Sequence, residues 1–539
     1  MVPLLLAAQT AFTALATPAL AQAQTQPQSQ VRLPALGESA NDDLSVANEK
    51  RMGDSIMREA RRDPAYLDDP VLLGYLQHLW NPLVTAARAR GDINAETEGS
   101  FAWEAFLVRD RSVNAFALPG GYVGMHLGLM ALTTTSEQLA SVLAHELSHV
   151  TQRHIARSIA PQQRASVMAI AAFLLGIIAA SRSNNIDAAN AAIMGGQGAA
   201  IQAQLNFSRE MEREADRNGF GLLQQAGYST TGMAAMFERM DGAMRLNDSG
   251  GFPYLRTHPL TTDRITEARN RALLEGPEGQ KRPNPAPPPT LLHAVMQARA
   301  RVLMDDSAQA MARLSGGTSS PVLADRVGAL YGGALAASLL RDHGRAQRMA
   351  EEALRVARSA SPRDTDAERA LVQLQAQVAL DRGAPGAALQ LLDALVPKND
   401  RPTLLLRAQA ALALDRQSPG TQAAALRDST EALQTWVALH PLDPLAWSEL
   451  AATSQALGLK LRAMRAAAEA QLGLGDYTGA IDRMRAAQAA SRGATGADFI
   501  EASVIDARLR QMVTQRRQLQ LEARESRGGR GGPEEPPPQ

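Results

Sequence analysis

The spacing of hydrophobic positions changes several times along the chain. Residues 42–95 carry a helical period with short breaks, and Asp68-Asp69-Pro70 has the form of a helix start. Behind it, Leu72, Leu73, Leu76 and Leu79 make one apolar face. Over residues 100–133 the pattern shortens. Phe106-Leu107-Val108 and Ala115–Leu118 predict short strands, Pro119-Gly120-Gly121 punctuates them, and Tyr122-Val123-Gly124-Met125 follows as a strand or edge. A further helix begins near Thr135-Ser136-Glu137. Between Arg164 and Arg182 lie 17 uncharged residues, at the lower limit for crossing a bilayer. Alanines and Gly176 dilute that stretch, so a buried or lid helix is expected at 165–181; a membrane span is the competing expectation.

The second half reads as repeated helices. GPEGQKRPNPAPPPT, residues 276–290, is a Pro-rich linker with no apolar period. Beyond it, Gln375-Ala376 and Val378-Ala379-Leu380-Asp381-Arg382 return 34 residues later as Gln409-Ala410 and Leu412-Ala413-Leu414-Asp415-Arg416. That is the tetratricopeptide period. Trp447, Leu450, Gly475-Asp476-Tyr477 and Ala480-Ile481 fit fragments of the same pattern, and an irregular Ala/Leu-rich bundle is the alternative. Each helix pair leaves an apolar face bare, so neighbours must stack into a solenoid, a surface suited to gripping a peptide or protein. The tail from Ser526 is expected to be disordered.

The first residues predict export. An apolar stretch leads to Ala19-Leu20-Ala21 before Gln22, the small-x-small pattern of a signal-peptidase site. No Lys or Arg precedes it, which a start codon set too far downstream would account for. The expected organisation is therefore a signal peptide (1–21), a flexible leader (22–41), a first domain (42–275), the linker (276–290), helical repeats (291–525) and a tail (526–539). The expected location is the periplasm, with peripheral rather than integral membrane association.

Composition narrows the chemistry. Lys plus Arg and Asp plus Glu each total 55 of 539 residues, which gives no footprint for nucleic acid or an anionic membrane. Cysteine is absent, so disulfides, thiolate catalysis and Cys-based metal sites are excluded. The chain has only nine histidines, yet His145 and His149 sit four apart around Glu146 in QLASVLAHELSHVTQRHIAR. On a helix those two rings project from one face and can serve one ion, and neutral imidazole suits Zn²⁺. Glu146, next to the first ligand, is aimed at a water as a general base requires. The alternative is a pair of hydrogen-bonded core histidines.

A third ligand is needed. Gln152 and Ile155 stand where a metzincin would have Gly and His. His154 falls one residue short of that position and reads as a structural or surface histidine. A carboxylate from a later helix is the other solution. In FSREMEREADRNGF, Glu210, Glu212, Glu214 and Asp216 crowd one helical stretch, and Glu212 and Asp216 share a face. One of these can bind zinc while the other fixes the tautomer of a ligand imidazole.

HELSHVTQRHIAR followed by SREMEREAD resembles the HtpX and CAAX-prenyl-endopeptidase family of zinc metallopeptidases, in its exported branch with a tetratricopeptide tail. The likeness also covers Asp68-Asp69-Pro70, residues 114–129 and THPLTTDRI at 257–265. It implies an α+β gluzincin-type metallopeptidase domain, mainly helical with a small sheet, followed by an all-α tetratricopeptide-like solenoid. It implies one Zn²⁺ per chain held by His145, His149 and Glu212, with Glu146 as catalytic base and Asp216 behind the ligands. It further implies that the segment around Asn114, Phe116, Tyr122 and Gly124 is an edge strand on which a substrate peptide is laid. His258 would be a latch on the open zinc position, and Arg264 a candidate for stabilising an oxyanion. The implied activity is endoproteolysis, with chaperoning, of misassembled outer-membrane or envelope proteins. The repeats would contact those substrates or the outer-membrane barrel-assembly machinery. An assembly factor with a largely latent metal site is the alternative.

Overall fold

The computed structural model describes residues 44–158, 208–246, 253–274, 288–316, 320–420 and 423–528. The expected signal peptide and leader, the apolar stretch at 165–181, most of the linker and the tail beyond 528 lie outside the described residues. No helix among the described residues is long and apolar enough to cross a membrane.

Helix α1 (Val46–Ala60) is capped by the Ser45 hydroxyl, which accepts from the Asn48 N–H. Strand β1 (Tyr66–Leu67) follows, then α2 (Pro70–Arg90). Asp69 starts α2 as the sequence predicts: its Oδ1 accepts the Leu72 N–H at 2.9 Å and Pro70 takes the first turn. Leu72, Leu76 and Leu79 are buried on one face, and Leu73 is half-exposed. Next come α3 (Ala95–Ser100), β2 (Glu104–Val108), β3 (Ala115–Leu118), β4 (Tyr122–His126) and α4 (Leu127–Leu132). The strands form one sheet in the order β1-β2-β4-β3, with β2 parallel to β4 and the other pairs antiparallel.

This order corrects the expected edge. Tyr122 and Gly124 lie on β4, which is paired on both sides, so of these two strands it is β3 that lies at an edge of the sheet. The His126 N–H donates to the Asn114 carbonyl, and Phe116 faces Gly124 two residues on. Antiparallel alternation therefore turns the backbone groups of Asn114 and Phe116 into the sheet and those of Ala115 and Ala117 outward. Periodicity reveals a strand but not its neighbours. Gly124 has its own reason to be glycine, because a Cβ there would overlap the Phe116 ring.

Helix α5 (Ser136–Thr151) carries the histidine motif. Its N-cap is Thr135, which accepts from the Gln138 N–H, while the Gln138 amide oxygen accepts from the Thr134 N–H at 2.8 Å. Helices α6 (His154–Ser158), α7 (Arg209–Gln225), α8 (Thr231–Leu246), α9 (Pro253–Thr257) and α10 (Thr262–Leu274) complete this half. The remaining half is helical throughout, starting with α11 (Leu291–Leu303), and successive helices such as Leu323–Leu339 and His343–Ala357 pack on one another in chain order.

The two halves meet at the start of α2. The Arg299 guanidinium on α11 grips both Asp69 oxygens at 2.7 Å and donates to the Tyr331 hydroxyl at 2.9 Å. Arg401, at the start of the later helix Arg401–Gln417, holds both oxygens of Asp68 at 2.7 Å and also pairs with Asp443. The Asp68-Asp69 turn thus anchors two separate helices of the second half.

Candidate metal centre

The whole inner length of α5 is buried, and His145, Glu146 and His149 are at most 1% exposed. A glycine helps bring α7 against them. A Cβ on Gly219 would lie 3.2 Å from the Ala144 carbonyl carbon and the His145 nitrogen, so a bare α-carbon eases the close approach of the two helix backbones by a few tenths of an ångström. That approach sets Glu212, in the first turn of α7, and Asp216, one turn later, opposite the two imidazoles. The chain then returns through α9 to His258. The Tyr254 ring stacks on His258 at 4.6 Å, and the Tyr254 N–H donates to the Val113 carbonyl just ahead of β3.

One donor atom each from His145, His149, Glu212 and His258 lie within 4.8 Å of one another, all buried. The two Nε2 atoms of His145 and His149 are 3.0 Å apart, and His258 Nδ1 is 3.4 Å from His145 Nε2 and 2.9 Å from Glu212 Oε1. Glu212 oxygens lie 3.5 Å from the Nε2 atoms of both motif histidines. These separations match the edge of about 3.4 Å of a tetrahedron with zinc–ligand bonds of about 2.1 Å. Glu146 lies beside this group, its Oε1 3.6 Å from His258 Nε2. Neither Glu146 oxygen meets a hydrogen-bond donor among the described residues. A fully buried carboxylate without donors is expensive, and a cation with its water satisfies it. The donor set therefore fits a divalent ion of the zinc type.

Behind the donors, Asp216 Oδ1 lies 3.0 Å from His145 Nδ1. Arg264 is committed to the carboxylates: it holds both Asp216 oxygens at 2.7 and 2.8 Å, reaches Glu212 Oε2 at 2.8 Å, and donates to the Pro259 carbonyl. With its donors so engaged it serves as a buried counter-ion, and the expectation of an oxyanion role is set aside. Burial opposes charge on His145, yet Asp216 and Glu212 outweigh it and raise its pKa to about 9. For His149 burial dominates and the pKa falls well below the ordinary value. Burial pushes Glu212 up, but the surrounding imidazoles, His258 foremost, hold it well below the usual carboxylate range.

The structure thus gathers His145, Glu146, His149, Glu212, Asp216 and His258 in one place, while Asn114, Phe116, Tyr122 and Gly124 belong to the sheet alongside. His154 takes the structural one of the two readings the sequence left open. It is fully buried rather than a surface group, with its Nδ1 2.8 Å from His149 Nδ1. Tyr254 was not foreseen, and its only sequence signal is its position four residues before His258.

Comparison with known proteins agrees with this geometry. Residues 80–272 match peptidase family M48. A beta-barrel assembly-enhancing protease of Yersinia pestis is 30% identical over 462 residues, covering 85% of this chain and 87% of that protein. A relative in Vibrio cholerae is 40% identical over 262 residues, 48% of this chain and 50% of its own length. The beta-barrel assembly-enhancing protease of Escherichia coli is 37% identical over 240 residues, 44% of this chain and 47% of that protein. The chain therefore spans about half the length of the Vibrio and Escherichia relatives it matches.

Proposed function

The chain belongs to peptidase family M48, and from that premise we propose that it is an exported zinc-dependent endopeptidase and chaperone of the periplasm, acting on misassembled outer-membrane or envelope proteins. The names of the relatives, which speak of β-barrel assembly, support that choice of substrate. The observation that carries the chemistry is the buried group of four donor atoms within 4.8 Å, with the Glu146 carboxylate, which meets no hydrogen-bond donor among the described residues, beside it.

In this reading His145, His149 and Glu212 hold one zinc ion, and Asp216 fixes the His145 ring through Nδ1. When bound, zinc supplies Lewis acidity toward a water and a substrate carbonyl. Glu146 takes the water's proton on a carboxylate oxygen and delivers it to the leaving amine. The outward backbone groups of Ala115 and Ala117 on β3 accept the substrate as an added strand. Residues 42–275 form the catalytic unit and 291–525 the tetratricopeptide-like repeats, whose surface receives substrate or the barrel-assembly machinery.

A second reading, an assembly factor with a largely latent site, is favoured by His258. A catalytic zinc keeps one position open, whereas His258 supplies a fourth protein donor. We treat it as a latch that occupies the open position at rest. The test is Glu146→Gln in the full chain, which should abolish casein cleavage while leaving zinc content and fold unchanged. Cleavage retained by that variant refutes the role of Glu146. Rescue of a cell-envelope defect by the inactive variant makes binding the primary function.

A further inference from the structure

Helix α5 stops at Gln152, and the next residue, Arg153, takes a left-handed backbone with φ 51° before α6 begins at His154. In a continued helix, position 154 would be five residues past His149 and rotated off its face. A side-chain-bearing residue enters the left-handed region only when its surroundings impose it. Here the Arg153 Nε donates to Glu49 at 2.9 Å, and its Nη2 donates to the Leu44 carbonyl, both from the start of the chain's described part. The turn folds His154 back beneath His149.

The proton directions then follow from chemistry. His149 faces the other donors through Nε2, so its Nδ1 carries the hydrogen. That hydrogen points at His154 Nδ1, 2.8 Å away, which accepts it. His154 Nε2 must in turn carry a hydrogen, and it lies 3.2 Å from Glu214 Oε2, an oxygen that also receives Arg157 Nη1 at 3.0 Å. Asp216 lies 3.0 Å from His145 Nδ1, whereas His149 reaches its carboxylate one imidazole further back.

We infer that His154, backed by Glu214, is a positioning residue that fixes the ring orientation and tautomer of His149 and so sets the affinity of the site for a divalent cation. This rests on the reading of His149 as a metal ligand. The test measures zinc affinity of the full chain by chelator competition, in the wild type and in His154→Ala, His154→Asn and Glu214→Gln. Loss of such an outer partner lowers metal affinity about 10–100-fold. His154→Ala should fall in that range and Glu214→Gln should lose less. His154→Asn, whose amide oxygen can accept from Nδ1, should recover part of the loss. In ¹⁵N-histidine spectra of the zinc-loaded chain, the His149 Nδ1 resonance should move in His154→Ala. Circular dichroism separates these effects from misfolding, and Glu214→Gln leaves the buried histidine in place. Wild-type affinity in His154→Ala, or a loss that Asn does not relieve and that accompanies lost helicity, overturns the inference. A wild-type chain that binds no zinc would instead overturn the reading of the site itself.

Discussion

Replacing Asp69 probes the join between the two halves and can be sized from the structure. Its carboxylate is 8% exposed, caps α2 through Leu72 and takes a two-pronged contact from Arg299, which is equally buried. Burial raises its pKa, but Arg299 more than compensates, so the group stays charged. Asp69→Asn keeps a good cap and removes the charge, leaving a guanidinium buried beside an amide. Breaking a buried pair from one side costs about 3–5 kcal/mol. Asp69→Ala also loses the cap, for about 1 kcal/mol more. Removing both charges in Asp69→Asn/Arg299→Met should recover at least about 1.5 kcal/mol, since the stranded cation is gone. Urea unfolding followed by tryptophan fluorescence reads this directly, because Trp80 is fully buried in the same helix. Effects of the two single replacements that add within about 0.5 kcal/mol in the double variant would show that the contact does not couple the halves.

Two other predictions concern burial. His293 on α11 is held between the Tyr75 hydroxyl (2.7 Å) and the Thr133 hydroxyl (3.2 Å), and burial lowers its pKa from 6.5 to about 4. The folded chain thus favours the neutral ring: its contribution is complete above pH 6.5 and fades as pH falls toward 4, by roughly 3 kcal/mol in all. Equilibrium unfolding between pH 7 and 4 should lose that dependence in His293→Gln. Gly53→Ala would drive a Cβ into the Pro119 carbonyl, a backbone atom that cannot yield, and should cost about 2–3 kcal/mol. Gly74→Ala, with open space at its Cβ on exposed α2 surface, should instead stabilise by about 0.5–1 kcal/mol, and urea unfolding of the two variants reads both changes.

Much of the site was legible because its parts are local. His145, Glu146 and His149 share one helical face, and so do Glu212 and Asp216, so spacing alone groups each set. What spacing cannot give is the meeting of the two sets, which the bare α-carbon of Gly219 against Ala144 eases. Three of the four strands were readable as short apolar runs, whereas β1 was not, and the placing of β4 inside the sheet is a long-range choice that left Tyr122 and Gly124 misassigned to an edge. For a related reason, spacing could not choose between a structural and a surface role for His154. Helical geometry turns it away from His149, and only the left-handed Arg153, imposed by Glu49 and Leu44 far upstream, turns it back.

The central claim is that His145, His149 and Glu212 grip one divalent cation. Elemental analysis of the full chain, stripped by chelator, resupplied with zinc and dialysed, tests it most directly. One zinc should be retained per chain in the wild type and in Glu146→Gln, and well under one in His145→Ala or His149→Ala. A correctly folded wild-type chain that retains none would contradict it.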